Sequence, residues 1–420
     1  KNKALNAHLE RKGLSIEKDK RKTLEEVYNY FRTKEMVYPS ELEALDEVGA
    51  VKSQDRVNIN NRKNYFVLTR DFAKYLKTNK IEFHLLAGVP RHYGSIEEIL
   101  FYQEIFILLY IPELELYVSP RSQHATFSSY PDFMEGTEVY NITRYAPGRD
   151  KHVIAVSSDE DNSSMQKLEV ELGDDLNSLV VKRSNSSWGH QKIEDQSRYL
   201  LLSDYLQEDY ASVNKSEYLD KVKMKKTALE QARIKYEANQ QELKEAQKER
   251  LKAQLENDLD MEVEDEYAYK ITSHGRDTYA TPFSYEESFS LSDELIQKAG
   301  PNLIIEIGRF IGGQVALEKE EMEREKDIYF DYARSFYNEI SFSIPEGYRV
   351  VGLEKLNYTI DNETGGFISS AEILGDKLFI KSKKFYKHHY VEAEKWPMMV
   401  EFLEAAYKFS QEKILLKKAS

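Results

Sequence analysis

Leu24, Val27, Tyr28 and Phe31 recur at three- and four-residue spacing, which predicts a helix with one apolar stripe and an otherwise charged surface. Residues 1–46 read as helical, with Pro39 as a stop, a short helix over Glu41–Val48 and a turn at Gly49-Ala50. A second apolar helix is predicted over Tyr65–Leu76. Then the period shortens. Strands are expected around Ile81–Val89, Ile105–Ile111 and Leu114–Ser119, with a turn at Pro90–Gly94 and a short helix over Ser95–Leu100 between the first two.

From Lys151 onward the chain reads as short alternating segments: Val153–Ser157, Met165–Leu172, Leu179–Ser184 and Tyr199–Leu202. After an interruption the style resumes at Asn302–Ile307, Ser335–Pro345, Tyr348–Leu356, Gly366–Leu374 and Lys377–Phe385. Strand and turn at this repeat predict an antiparallel β-sandwich or a similar sheet. The interruption is residues 204–268, and its stretch Asn214–Leu259 is mostly Lys, Glu, Gln and Ala. Val222, Leu229, Tyr236 and Leu243 fall seven apart in it, which predicts a long helix with a thin apolar seam. Such a helix either packs lightly on its parent domain or serves as an arm that docks a partner. The chain closes with Trp396–Leu416, where Pro397 suits a first helical turn and Met399, Phe402, Leu403 and Ala406 form a stripe.

Composition narrows the classes. A length of 420 residues accommodates two or three domains. Charged residues at 31% and aromatics at 12% fit a folded globular chain rather than a disordered one. The net charge of -14 argues against a nucleic-acid partner, which needs clustered positive charge. No apolar run approaches the ~20 residues of a membrane helix. With no cysteine there is no disulfide and no thiolate chemistry. The chain opens on Lys1-Asn2-Lys3 without Met, as expected of a fragment or a processed protein whose targeting signal has been removed.

In order, length and spacing, the stretch Arg56–Pro120 resembles the transglutaminase-like (papain-like) core of a family of bacterial multidomain proteins. In that family the nucleophilic Cys opens the helix, a His opens the next long strand and an Asp closes the strand after it. Here the helix-opening place falls on Asn64 or Tyr65. The His place falls on Glu104, in Tyr102-Gln-Glu-Ile-Phe-Ile-Leu-Leu-Tyr110, and the Asp place on Ser119, in Leu116-Tyr-Val-Ser-Pro120. Tyr130-Pro-Asp-Phe-Met-Glu-Gly-Thr-Glu138 resembles the family's segment before its last core strand. Ile344-Pro-Glu-Gly-Tyr-Arg-Val350 and Ile360-Asp-Asn-Glu-Thr-Gly365 resemble its carboxyl-terminal β-domain. The family's amino-terminal β-domain has no counterpart.

The resemblance implies an α+β fold: a degenerate transglutaminase-like core followed by an antiparallel β-sandwich-like domain with a long helical insertion. The expected domains are leading helices over 1–46, the core over 47–150, the β-domain over 151–203 and 269–390, the insertion over 204–268, and a terminal helix over 391–420. It also implies a pseudoenzyme with no cofactor and no metal, in the periplasm or at the outer membrane of a Gram-negative bacterium. That protein would hold partners in an envelope complex. The alternatives are a capture module for peptides or glycans, and a hydrolase working through carboxylates such as Glu98 and Glu104.

Other candidates have bland readings beside the chemical ones. Arg91-His92-Tyr93 is an anion site or a solvated turn, and His84 is a hydrogen-bonded strand residue. His388 and His389 are adjacent, so on a strand they face opposite sides and make a poor metal pair. Asp159-Glu-Asp-Asn162 is a hard-cation turn or a loop tip, and Asp258–Glu266 an acidic flank without calcium-loop spacing. Gly308, Gly312 and Gly313 lack a phosphate-loop pattern and predict close backbone approach or a kink.

Overall fold

The computed structural model describes residues 2–56, 65–99, 102–142, 150–263 and 266–419. The chain divides into two units interleaved in sequence. The first holds Lys1–Val156, Gln196–Gln247 and His274–Thr281; the second holds Ser157–Asp195, Lys248–Ser273 and Pro282–Ser420. Helices and several mainly antiparallel sheets make the protein α+β.

In the first unit, α1 (Lys3–Arg11) precedes α2 (Lys20–Arg32), whose N-terminus is capped by the Asp19 carboxylate accepting from the Lys22 N–H at 2.9 Å. Leu24, Val27, Tyr28 and Phe31 are all buried, as their spacing requires. Pro39 does not stop the helix. A π-helical turn, Thr33–Val37, leads directly into α3 (Tyr38–Glu47), and Pro39 sits in the first turn of α3, where its missing N–H costs nothing. The helix expected from Tyr65 is α4 (Tyr65–Thr78), and it buries Leu68, Phe72 and Leu76. Phe72 meets Tyr28 of α2 edge-on, with centroids 6.0 Å apart.

A five-stranded antiparallel sheet follows, in the order β3-β2-β1-β4-β5: β1 (His84–Gly88), β2 (Phe106–Ile111), β3 (Leu116–Val118), β4 (Glu138–Asn141) and β5 (Lys151–Val153). Alternation along β2 divides its side chains. Leu109 and Ile111 join the helix-side core with Phe72 and Val118, while Leu108 joins Leu86, Tyr117, Val139 and Met134 on the other face. Between β1 and β2 the expected helix is only a 3₁₀ turn, Ile96–Glu98, and Leu100 lies outside the described residues. Gly136, just before β4, has φ +70°, a shape that the Gly of the Tyr130–Glu138 segment supplies.

The stretch Tyr199–Leu202 is not a strand. It is the end of α5 (Gly189–Tyr199) and the start of a 3₁₀ turn, and α6 (Leu206–Ser212) and α7 (Tyr218–Lys221) follow. Then α8 (Lys226–Leu259) runs for 34 residues. The seven-residue seam holds only in part: Leu229 and Tyr236 pack with Ala232 against Leu42, Leu45 and Tyr218, but Leu243 is 38% exposed and Val222 precedes the helix. The last turns, which belong to the second unit, bury Leu251, Leu255 and Leu259.

The second unit is built on an eight-stranded sheet in the order β15-β16-β17-β13-β6-β7-β9-β8. Its strands are β6 (Ser163–Leu172), β7 (Leu179–Ser187), β8 (Ala268–His274), β9 (Phe283–Leu291), β13 (Arg334–Ser343), β15 (Tyr358–Asp361), β16 (Gly365–Leu374) and β17 (Lys377–Tyr386). The sheet is mixed rather than wholly antiparallel, because β6 and β13 pair in parallel. A four-stranded sheet, β10-β11-β19-β14, is made of β10 (Ile296–Ala299), β11 (Asn302–Ile305), β14 (Tyr348–Val351) and β19 (Ile414–Lys418). The short strands β12 (Ile328–Tyr329) and β18 (Tyr390–Val391) pair separately.

The terminal helix is α9 (Trp396–Ser410), and it is not the end of the chain, which continues into β19. A helix, rather than a second sheet, covers this end of the large sheet. Phe402 of α9 meets Tyr386 at 5.4 Å, and Phe409 meets Phe367 at 5.5 Å. Gly308 makes the close approach expected of it. A Cβ there would lie 2.0 Å from the Phe409 carbonyl oxygen, and its N–H donates to Glu412 O at 3.0 Å.

Candidate functional site

Three elements of the first unit converge on Arg121. The first is the opening of α4, at Tyr65. The second is the opening of β2, at Phe106. The third is the turn that leaves β3, in which the buried Ser119 N–H donates to Ser129 O at 3.0 Å and the Arg121 N–H donates to Ser119 O at 2.9 Å. This turn carries the Arg121 guanidinium carbon to 4.1 Å from the Phe106 ring centroid and 4.8 Å from that of Tyr65. Phe106 is backed by Phe133 at 4.9 Å, and Tyr65 by Phe66 at 4.1 Å. An exposed guanidinium held between rings gains roughly 0.5–1 kcal/mol per favourable contact and keeps its planar fork of donors in one orientation.

Of the expected site residues, Tyr65 and Ser119 are thus brought together through Arg121, and Asn64 lies outside the described residues. Glu104 ends a 3₁₀ turn (Tyr102–Glu104) two residues before Phe106, and Glu98 ends the turn Ile96–Glu98. Arg121 itself was not anticipated. Its only mark in the sequence is its place directly after Ser119-Pro120, and contacts with two distant rings leave no local pattern.

The remaining candidates find structural work. Arg91 donates through Nη1 to Asp132 O at 3.0 Å, tying its turn to the segment before β4. His84 lies 3.4 Å from Glu82 through Nε2 at the start of β1. The carbonyl of His389 accepts from the Phe330 N–H at 2.7 Å. In the acidic turn, Glu160 accepts from Lys383 and Tyr337, and Asp159 accepts from Ser335 Oγ at 2.6 Å. Asn162, wholly buried, donates to Ala333 O and accepts from the His190 N–H at 2.9 Å. This turn is a brace, and no group of three potential metal ligands occurs among the described residues. Asp258 is not just a solvated flank either: it reaches Arg183 at 3.4 Å, and its carbonyl accepts from the Gly313 N–H at 2.8 Å. Glu264 and Asp265 lie outside the described residues.

Sequence reasoning also missed two buried ion clusters. In the first unit Arg276, with no exposure, donates to Asp209 at 2.6 Å and to the Gln123 carbonyl, and its guanidinium lies 3.7 Å from the Tyr205 centroid. Arg32 donates to Ala125 O and Arg276 O. Burial pushes the Asp209 carboxyl up, but Arg276 and Arg32 outweigh it and hold the group below the usual carboxylate range. Burial, then the same two arginines, depress His124 well below its ordinary value, so it is neutral. In the second unit Glu287 accepts from Arg183 at 2.7 Å, Asn185 at 2.9 Å and Tyr267 at 2.7 Å.

The opposite, open face of the large sheet carries Lys167, Glu169, Lys182, Lys270 and Glu286 around a groove of about 470 Å³. Its charges are of both signs, and Lys167 already pairs with Glu339 at 3.0 Å. No helix among the described residues is long and apolar enough to cross a membrane.

Residues 311–416 match a family described as a domain of unknown function with a solved structure (DUF3858). The match spans the strands from β12 to β19 and the helix α9, and it includes both the Ile344–Val350 and Ile360–Gly365 segments. No curated protein and no solved structure matches the chain.

Proposed function

We propose that this chain is a non-catalytic binding protein, in which a degenerate transglutaminase-like core in the first unit holds a partner within a bacterial cell-envelope assembly. One observation carries the reading. Where the resemblance sets a nucleophile, a base and the group that orients the base, this chain has Asn64 or Tyr65, Glu104 and Ser119, and Arg121, two residues after Ser119, lies against the rings of Tyr65 and Phe106. Thiolate acyl transfer needs a sulfur beside a base, and the sequence has no cysteine. A guanidinium held against two rings still presents hydrogen-bond donors, which suits recognition rather than acyl transfer.

Arg121 is exposed, and Phe66 beside Tyr65 is 53% exposed, so the stack is reachable from solvent. The same features favour a second reading, capture of a peptide or glycan segment on the aromatic rings. The periplasmic or outer-membrane setting rests on the resemblance.

The test is affinity capture from a native membrane extract with the full chain and with Arg121→Ala, alongside assays of turnover on peptide and glycan substrates. A partner retained in fixed ratio by the wild type and lost at least tenfold by the variant supports the first reading. Direct binding of peptides or glycans without turnover supports the second. Sustained hydrolysis or crosslinking by the pure chain overturns both.

A further inference from the structure

Alternation along β13 places Arg334, Phe336, Asn338, Ile340 and Phe342 on one face, and the last three are buried. On β17 the same face carries Tyr386, Lys384, Ser382, Ile380 and Leu378, all buried except Lys384, which is partly so. The register sets Arg334 beside Tyr386 and Phe336 beside Lys384. Two cations therefore project to the side of the sheet that forms the core. That position is costly without a counter-charge.

Among the described residues no carboxylate forms an ion pair with either cation. The Lys384 ammonium donates to Gln314 Oε1 at 3.0 Å, a neutral partner, and lies 5.6 Å from the Tyr386 centroid. The Arg334 guanidinium is ringed by Phe330, Tyr386 and Phe336 at 5.3, 5.4 and 5.8 Å, and its Nε is buried with no acceptor. Glu194 reaches neighbouring Tyr332, but it accepts from that hydroxyl at 2.8 Å. Burial first, and Arg334 second, bring Lys384 down to about 8.

The rest of the molecule makes the contrast. Of the deeply buried guanidinium groups, Arg183 is answered by Glu287 and Arg276 by Asp209, and Arg32 donates to the carbonyls of Ala125 and Arg276, whereas the half-buried Arg334 has rings around it. Here the chain supplies two donors of positive charge and one amide. Gln314 is itself fixed, since its Nε2 donates to Ile311 O and Gly312 O and so directs Oε1 toward Lys384. All three residues lie inside the segment matched by the family of unknown function.

We infer that Arg334 and Lys384 form a binding site for a small oxyanion, a phosphate or carboxylate group, held by the guanidinium fork and the ammonium together. Arginine matches such groups with paired donors and lysine adds a point charge. An anion between the two cations replaces their mutual repulsion with attraction to both, and it supplies the missing acceptor. The aromatic wall around Arg334 restricts the ligand's charged end to a compact group.

The test uses the full chain in sodium phosphate, sodium acetate or sodium chloride at pH 7 and matched ionic strength, reading the thermal midpoint. With phosphate or acetate at about a hundredfold excess over its Kd, the midpoint should rise by roughly 3–8 °C over chloride. The ion that produces the rise identifies the group. Lys384→Met and Arg334→Met should each abolish it, while Lys383→Met, a change on the opposite face of β17, should keep it. Equal midpoints in all three salts, or the same rise in Lys384→Met, overturn the site. If a variant does not fold, the Lys384 side-chain NMR signals of the wild type decide. They should titrate near 8 in chloride and at higher pH with the bound ion, and a titration unmoved by either ion sinks the proposal.

Discussion

Glu41 is a carboxyl group with almost no exposure, accepting from the Tyr210 hydroxyl and the Tyr218 N–H. Burial pushes it up to about 7, and the two hydrogen bonds pull against that shift. Its folded value thus exceeds the ordinary 4.5, so between about pH 4.5 and 7 the folded chain keeps a proton that the unfolded chain has lost. This contribution is largest at the acid end and is lost as the pH rises toward 7, amounting to roughly 3 kcal/mol at most. Glu41→Gln should flatten that part of the pH profile, as read from urea midpoints at pH 5 and pH 8. Glu287 is committed to Arg183. Glu287→Ala should cost roughly 3–5 kcal/mol in denaturant unfolding, and the pair Arg183→Met with Glu287→Leu should recover most of it. This pair also explains a strand that pattern reading did not find. Phe283, Tyr285, Phe289 and Leu291 alternate correctly along β9, but Glu287 stands at the inward position between them, and only its registered neighbour Arg183 makes it a core residue.

At the scale of elements, what was legible is what repeats locally. The stripe of α2, the start of α4 and the strands β1 to β3 follow from spacing alone. The helix α5 did not, since its N-terminus depends on Asn162, 28 residues earlier. Nor did the stack at Arg121, whose rings lie on elements separated in sequence. Gly308 was singled out as a close approach, and the contact now has a partner. Gly308→Ala should force the backbone of α9 away and destabilise by several kcal/mol, on the order of an overpacked core position, which a thermal melt would register. The long helix α8 gives a second expectation. Because it packs Leu229, Ala232 and Tyr236 at one end and buries Leu251, Leu255 and Leu259 at the other, excising residues 214–259 should unfold the chain rather than trim an arm. Circular dichroism of the excised form would check this, and a native-like cooperative melt would contradict it.

For the whole molecule, sequence order and spatial grouping diverge, because each unit is assembled from three separate stretches. The expected boundaries near 150, 204 and 269 mark changes in pattern, and pattern is blind to which stretch completes which core. Arg32 donates to the backbone of Arg276 across 244 residues, and Arg276 reaches Asp209 across 67. During translation at about 5–20 residues per second, the opening helices therefore leave the ribosome on the order of 10–50 seconds before the guanidinium that completes their charge cluster is made. Until then Asp209, once synthesised, waits without its main counter-ion, and the helix that carries Arg32 has only its apolar packing to hold it in place.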